Sequence, residues 1–231
     1  VGGIETLFKG SADKVKGYAK EAYRTAGMSQ NAYMQNVTSF SASLLNSLGG
    51  DTEKAADVAN AALISISDNV NKMGSAAESV TAAFQNFAKP QYQLLDNLKR
   101  GYSGSKPEME RLLADAEAYR ASMGETVEYE ITNLADVYTA IGDIQEKLGI
   151  AGTTAKEAST TSSGSANQMK AAWEDMLVSI SDGKGDLGRA VQNFTNTVEI
   201  FFLNLVPVVE QAMGALGDVI GAVAPGIVAK I

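Results

Sequence analysis

The stretch LDNLKRGYSGSKPEMERLLADA, residues 95–116, has the composition of a joint between two helices. Basic residues followed by Gly101 are typical of a helix end, because glycine readily adopts the left-handed conformation that often closes a helix. Ser105 and Glu108 then form a Ser-x-x-Glu capping box, which satisfies free backbone amides at a helix start. The stretch therefore predicts a turn between a short helix, residues 91–100, and a second helix that begins near Ser105.

Similar signals recur along the chain and predict helices almost throughout. Ser29, Asp51 and Asn133 each precede a segment whose apolar residues recur at every third or fourth position, as on one face of a helix. Two further capping boxes open later segments: Ser75 with Glu78, and Thr154 with Glu157. The second of these predicts one long helix that continues to about residue 180.

One short segment, residues 127–131, alternates polar and apolar residues like a strand. The sequence offers no partner strand, so an extended linker is favoured over an isolated strand. The predicted fold class is all-α, a multi-helix bundle followed by long amphipathic and apolar C-terminal helices. We divide the chain into a bundle domain at residues 1–150, a Ser/Thr/Gly-rich linker with a long helix at 151–185, and an apolar helical segment at 186–231.

The last segment carries large apolar residues in a seven-residue pattern, which predicts a helix that another surface covers. The candidate residues for self-association or membrane contact are Phe202, Leu205, Val206, Val209, Met213, Leu216, Val219, Ile220 and Val223. Charged residues interrupt the segment, so each uncharged run is shorter than the roughly 18 to 20 residues of a standard spanning helix. We therefore do not expect a permanent membrane anchor, and we expect Pro207 and Pro225 to kink or end the helix.

The composition leaves few groups for catalysis or metal binding. The chain has no cysteine and no histidine, which removes thiolate metal sites and the commonest general base. Its formal net charge of −8 argues against specific nucleic-acid binding. The motif at residues 183–188 matches G-x-G-x-x-G, but a dinucleotide site needs a preceding strand, so a turn is favoured. We expect no catalytic residues, no cofactor and no metal, and hence no enzyme.

Three stretches resemble a known family in their amino-acid sequence: residues 67–74, 87–116 and 152–177. They are similar to the tape measure, or minor tail, proteins of long-tailed phages and prophages of Gram-positive bacteria. The resemblance extends from about residue 23 to the end of the chain. At Pro90, Arg100 and Ser162 the sequence has residues other than those usual in the family, which affects local packing. Because the chain begins at Val1, we expect it to be a fragment of a longer protein.

The resemblance implies a structural role in a virion. Tape measure proteins lie in the lumen of the tail tube, determine tail length during assembly in the host cytoplasm, and leave when the genome is ejected. The implied partners are further copies of the chain, as a trimer or a hexamer, the tail tube and tail-tip or baseplate proteins, and the host membrane during ejection. The alternative from another class is a membrane-active or pore-forming helical protein.

Overall fold

The computed structural model describes residues 2–182 and 186–228, with side chains for 2–181, 186–216 and 218. Within these ranges the chain is helical and contains no strand, so the predicted all-α fold class is confirmed. The helices are α1 Gly2–Phe8, α2 Ala12–Thr25, α3 Gln30–Ser47, α4 Thr52–Met73, α5 Ala77–Phe87, α6 Lys106–Ser122, α7 Leu134–Lys147, α8 Thr153–Thr160, α9 Ser162–Asp182 and α10 Leu187–Val228.

The chain separates into two compact units, Val1–Lys156 and Glu157–Ile231. Helix α8 spans the boundary between them. The first unit is a bundle of helices α1 to α7, in which α4 packs against α2, α3, α5 and α7. The second unit is dominated by the pairing of α9 with α10. The two units differ in how they distribute apolar residues, and each is described by itself.

The first unit has a large apolar core. Tyr33, Phe40, Leu44, Leu63 and Phe84 are each at most 2% exposed, as expected for the buried face of an amphipathic helix. The predicted apolar faces of α3 and α4 are thus confirmed. Aromatic rings lie at the centre of this core, where the Tyr138 ring centroid lies 5.1 Å from that of Phe84 and 5.4 Å from that of Phe40.

Polar side chains inside the first unit connect different helices. The guanidinium of Arg100 donates to Oδ1 of Asn69 at 2.7 and 2.9 Å and to the carbonyl oxygen of Ile141 at 3.0 Å. Asp68, which is 1% exposed, accepts from the backbone amides of Gly152 and Thr154 at 2.7 and 2.8 Å. These bonds join α4 to the segment before α6, to α7 and to the start of α8.

Several predicted helix starts are confirmed by hydrogen bonds. Asp51 accepts from the amides of Glu53 and Lys54, and Asn133 accepts from the amide of Ala135. Ser105 Oγ accepts from the amide of Glu108 at 3.4 Å. The Glu108 carboxylate accepts from the amide of Ser103 rather than from that of Ser105, the amide that a capping box would use. The extended interpretation of residues 127–131 is also confirmed, because this part of the chain forms no strand.

Other predictions about helix starts and ends are wrong. Residues 91–100 do not form an α-helix but a 3₁₀ turn at Leu95–Leu98, after which Lys99 and Gly101 both have positive φ. Ser75 does not cap α5, because its hydroxyl donates to the carbonyl oxygen of Asn97 instead. The amide of Thr154 is bonded by Asp68, and α8 begins one residue earlier. For Ser75 and Thr154, a partner distant in sequence replaced the local bond that the pattern predicted.

The predicted long helix from Thr154 is interrupted at Thr161. The Thr161 hydroxyl accepts from the amide of Gly164 at 3.0 Å, so it caps α9 as a new helix. A Cβ atom at Gly164 would clash with the backbone of Glu157, so this close corner requires glycine. Helix α10 continues through Pro207 and Pro225, so of the two predicted outcomes at these prolines, a kink or a helix end, neither proline ends the helix.

Candidate association surface

The second unit pairs α9 with α10 through small and polar side chains. We define the inner seam as six buried residues of this pairing: Ser165, Gln168, Ala172 and Asp175 on α9, with Ala190 and Thr197 on α10; Ala171 is also buried beside them. The α9 members are three or four residues apart, which places them on one face of that helix. This face is unusual for a water-soluble helix pair, because large apolar residues normally occupy it.

The hydroxyl groups of the inner seam do not connect the two helices. Ser165 Oγ donates to the carbonyl oxygen of Thr161 at 2.6 Å, and Thr197 Oγ1 donates to that of Phe194 at 2.7 Å. Each hydroxyl is therefore satisfied next to or within its own helix, a local bond that Ser and Thr side chains readily form. Gln168 Oε1 is buried and has no hydrogen-bond partner in the described part of the chain.

Two contacts fix the direction of the hairpin. The rings of Trp173 on α9 and Phe194 on α10 lie 5.1 Å apart, and Asn204 Nδ2 donates to the carbonyl oxygen of Ser159 at 3.3 Å. Later residues of α10 thus meet earlier residues of the chain, so α9 and α10 run antiparallel. Asn204 continues the seven-residue spacing of Ala190 and Thr197 along the same side of α10.

The large apolar side chains of α10 point into solvent. Among the predicted candidates, Phe202, Val206, Val209, Met213 and Leu216 are 50 to 65% exposed, and Leu205 is half-buried. Val219, Ile220 and Val223 belong to α10, but their side chains lie outside the described residues. The structure thus places the described candidates together along one helix, and five of them at its exposed surface.

The exposure is most complete in the second half of α10. Every residue from Val206 to Leu216 is exposed, including those on the side that earlier in the helix faces α9. Most of these residues are apolar, with Glu210 as the only charged side chain in the stretch. Contiguous exposed apolar surface of this kind marks a site of contact with protein or membrane.

Sequence reasoning missed further exposed apolar residues. On α9 and α10 these are Leu177, Val178, Ile180, Leu187, Val191, Leu203 and Val208. Leu177 and Ile180 belong to a stretch of α9 that the sequence predicts as amphipathic, whereas Val178 was not singled out. Leu187, Leu203 and Val208 lie outside the predicted seam positions, and Val191 precedes the segment in which that pattern was predicted, although the high apolar content of the whole segment was a signal that could have included them.

The described side chains offer little for chemistry. They contain no group of three or more acidic residues that could hold a metal ion. A cleft of about 340 Å³ in the first unit lies beside Phe87, Pro90 and Leu134, and none of its nine lining residues is charged. Burial lowers the pKa of Arg100 to about 9, but its guanidinium bonds Asn69 and Ile141 and has a structural role.

The glycine-rich motif gives no sign of a dinucleotide site in its described part. Residues 183–185, and with them the predicted turn, lie outside the described residues. Helix α9 precedes them, and α10 begins at Leu187, where Asp186 Oδ1 accepts from the amide of Arg189 at 3.0 Å. Asp186 is thus an N-terminal cap of α10.

One described helix segment is long and apolar enough to cross a membrane by length and composition. It is Leu187–Leu216, with 30 residues, and its most apolar 18-residue stretch has a mean hydropathy of 1.3 and no buried residue. The expectation of no permanent anchor considered only uncharged runs, whereas this segment includes charged residues such as Glu199 and Glu210.

Comparisons with models of protein families, with curated proteins and with solved structures give no match for this chain.

Proposed function

We propose that this chain is a non-enzymatic segment of a phage tail tape measure protein, which acts in tail assembly, length determination and genome ejection. It works by associating with further copies of itself and with tail tube and tail-tip proteins. Two independent lines support this proposal: the resemblance of three sequence stretches to that family, and the helical fold with its exposed apolar C-terminal helix.

The observation that carries the proposal is the exposure of α10. A helix with Phe202, Val206, Val209 and Met213 all at least half exposed has a strong hydrophobic reason to be covered. Burial of apolar surface gives roughly 25 cal/mol per Å², so covering these side chains favours association. A structural component that assembles in several copies supplies such a cover.

The shape and charge of the chain suit a position in a tail lumen. Helix α10 has 42 residues and is about 63 Å long at 1.5 Å per residue, whereas α1 to α7 fold into a compact bundle. The segment is therefore a compact helical region rather than the extended measuring rod. Its net charge of −8 disfavours tight binding of DNA that moves past it.

The test is the mass of the full chain in solution, measured by light scattering over a range of concentrations. We expect an oligomer, with a trimer and a hexamer as the two sizes that the resemblance implies. The variant Val209→Asp places a charge on the exposed apolar side of α10 and should reduce the mass to that of a monomer. Gln211→Asp adds the same charge two residues away at a polar exposed position and should leave the oligomer intact.

A monomer at all concentrations, without binding to purified tail tube or tail-tip proteins, would refute the proposal. Assembly that both aspartate variants retain equally would show that α10 is not the surface responsible. Circular dichroism of each variant checks that the helical content is unchanged.

A membrane-active protein is the second candidate, and the segment Leu187–Leu216 is the observation that favours it. This function predicts that the full chain releases dye from anionic lipid vesicles. The release should be lost when Leu205 and Val209 are both changed to Asp, because charged side chains are costly within the hydrocarbon region. Vesicles that stay sealed at micromolar protein would exclude it.

A further inference from the structure

The outward side of α10 carries a regular apolar seam of its own. We define the outer seam as the residues that alternate by three and four along this side: Val191, Thr195, Val198, Phe202, Leu205, Val209, Ala212 and Leu216. All of them are exposed except Val198 and Leu205, which are half-buried. The spacing corresponds to the a and d positions of a coiled coil over more than three heptads.

The outer seam and the inner seam lie on different sides of the same helix. At 100° per residue, Ala190, Thr197 and Asn204 point roughly 90 to 130° away from the middle of the outer seam. The inner side is used by α9 and is small and polar, whereas the outer side is larger and apolar. The hairpin thus directs its more hydrophobic surface away from its own partner helix.

We propose that the outer seam is occupied by the outer seam of a second copy of this chain. In the assembly the α10 helices lie at the centre and the α9 helices lie outside. This inference rests on the proposed function and assigns the face through which the copies meet. The seam extends over 26 residues, or about 39 Å, which exceeds the three heptads at which a coiled-coil pattern becomes convincing.

The chemistry of the seam favours a second copy over lipid. A coiled-coil partner must present residues with the same three-and-four spacing, and this chain supplies that partner itself. Glu199 and Glu210 are exposed on α10 and lie roughly 90 to 110° from the middle of the seam, taking 100° per residue. Carboxylates at this distance stay in water at the rim of a helix pair, whereas within a bilayer they would be costly.

Cysteine crosslinking of the full chain tests this face directly, because the chain has no cysteine of its own. Val209→Cys places a thiol in the outer seam, and Gln211→Cys places one about 200° away on the same exposed turn. Paired seams hold the Val209→Cys thiols at a high effective concentration, so covalent dimers should form at least about tenfold faster than with Gln211→Cys. A mixture of Phe202→Cys and Leu216→Cys chains then reports the relative direction of the paired helices. Crosslinks between two copies of the same variant indicate parallel helices, and crosslinks between the two different variants indicate antiparallel helices. Either result supports the outer seam.

The outcomes separate this inference from the proposed function. An oligomer by light scattering, with equal crosslinking rates at residues 209 and 211, would overturn the outer seam while the structural role stood. A monomer with no tail-protein binding would refute both. Crosslinking at residue 209 that requires lipid vesicles would also overturn the inference, because the copies would then meet only within a membrane.

Discussion

The two units of this chain differ in which side chains they bury. The first unit encloses large residues such as Leu63 and Phe84, which are fully buried. The second unit encloses small or polar residues such as Ser165 and Ala172, and it exposes Phe202 and Met213. A core of the first kind lets a unit fold alone, whereas the second arrangement leaves its main hydrophobic gain to contacts with other molecules.

The buried polar groups show the same contrast. In the first unit Asp68 and Arg100 bond groups on other elements, so their hydrogen bonds hold separate parts of the bundle together. In the second unit Ser165 and Thr197 bond carbonyls next to or within their own helices. The first pattern fixes tertiary structure, and the second adds little to the pairing of α9 with α10.

The largest expected effect comes from a matched pair of phenylalanine substitutions. Phe84→Ala removes a fully buried ring from the core and should lower the free energy of unfolding of the first unit by about 3–5 kcal/mol. Phe202→Ala removes a ring that is 58% exposed and should change the stability of the isolated chain by no more than about 0.5 kcal/mol.

Urea unfolding followed by circular dichroism measures both variants, and the single tryptophan, Trp173, reports separately on the second unit. Below the concentration at which the chain associates, the Phe202→Ala variant and the unsubstituted chain should have the same free energy of unfolding. A loss of several kcal/mol in the monomeric Phe202→Ala variant would break the comparison, because it would show that α10 is covered within its own chain.

The next effect concerns the buried polar groups. Asp68→Ala removes the acceptor of two backbone amides and should lower the free energy of unfolding of the first unit by roughly 2–4 kcal/mol, since hydrogen bonds to charged groups contribute about 1.5–3 kcal/mol each. Ser165→Ala removes a buried hydroxyl bonded to the backbone just ahead of its own helix and should lower stability by only about 0.5–1.5 kcal/mol, the usual contribution of a neutral hydrogen bond. Equal losses in both variants, measured by urea unfolding, would contradict the distinction.

Much of the fold could be predicted because helix signals are local. The apolar spacing of Tyr33, Phe40 and Leu44 predicted the buried face of α3, and Asp51 and Asn133 cap the helices that follow them. These features depend on residues within one or two turns of each other. A sequence displays such neighbours directly.

The errors arose where a distant residue replaced a local partner. The Ser75 hydroxyl bonds Asn97, and the Thr154 amide bonds Asp68, which is 86 residues away. The break at Thr161 depends on a close approach that only Gly164 permits. No local pattern contains the first two contacts, because they depend on how the first unit is packed; the Thr161 cap, in contrast, is a local signal that the long-helix prediction overlooked.

The candidate surface was predicted in part for a related reason. The apolar pattern identified Phe202, Val206, Val209, Met213 and Leu216, which are exposed together on α10. It did not show that α9 would pack against a different, more polar side through residues such as Thr197. Periodicity identifies the faces of a helix, but it does not determine which face its neighbour uses.

A smaller effect tests the turn at Gly101, which precedes α6 in the first unit. Gly101 has φ of 79°, and no atom lies within 4 Å of where its Cβ would be, so the cost of a side chain there is conformational. Gly101→Val should lower the free energy of unfolding by about 1–2 kcal/mol, because β-branched residues disfavour the left-handed region. Gly101→Asn should cost less, since asparagine visits that region more readily. An unchanged melting temperature in the Val variant would refute the assignment of Gly101 as a conformational glycine.

The smallest expected effect is the pH dependence of the cap on α6. Hydrogen bonds from Arg111 and from the amide of Ser103 lower the pKa of Glu108 from its usual value of 4.5. A carboxyl group with a lowered folded-state pKa contributes stability above pH 4.5 and loses it as pH falls through the folded value, because the unfolded chain then binds more protons. Glu108→Gln should therefore lower the melting temperature slightly at pH 7, by less than Gly101→Val, and the difference from the original should vanish at low pH. Glu110→Gln removes a charge from the same helix turn and serves as the control. A Glu108→Gln deficit that persists unchanged below the lowered pKa would show that the side chain acts through packing rather than through its charge.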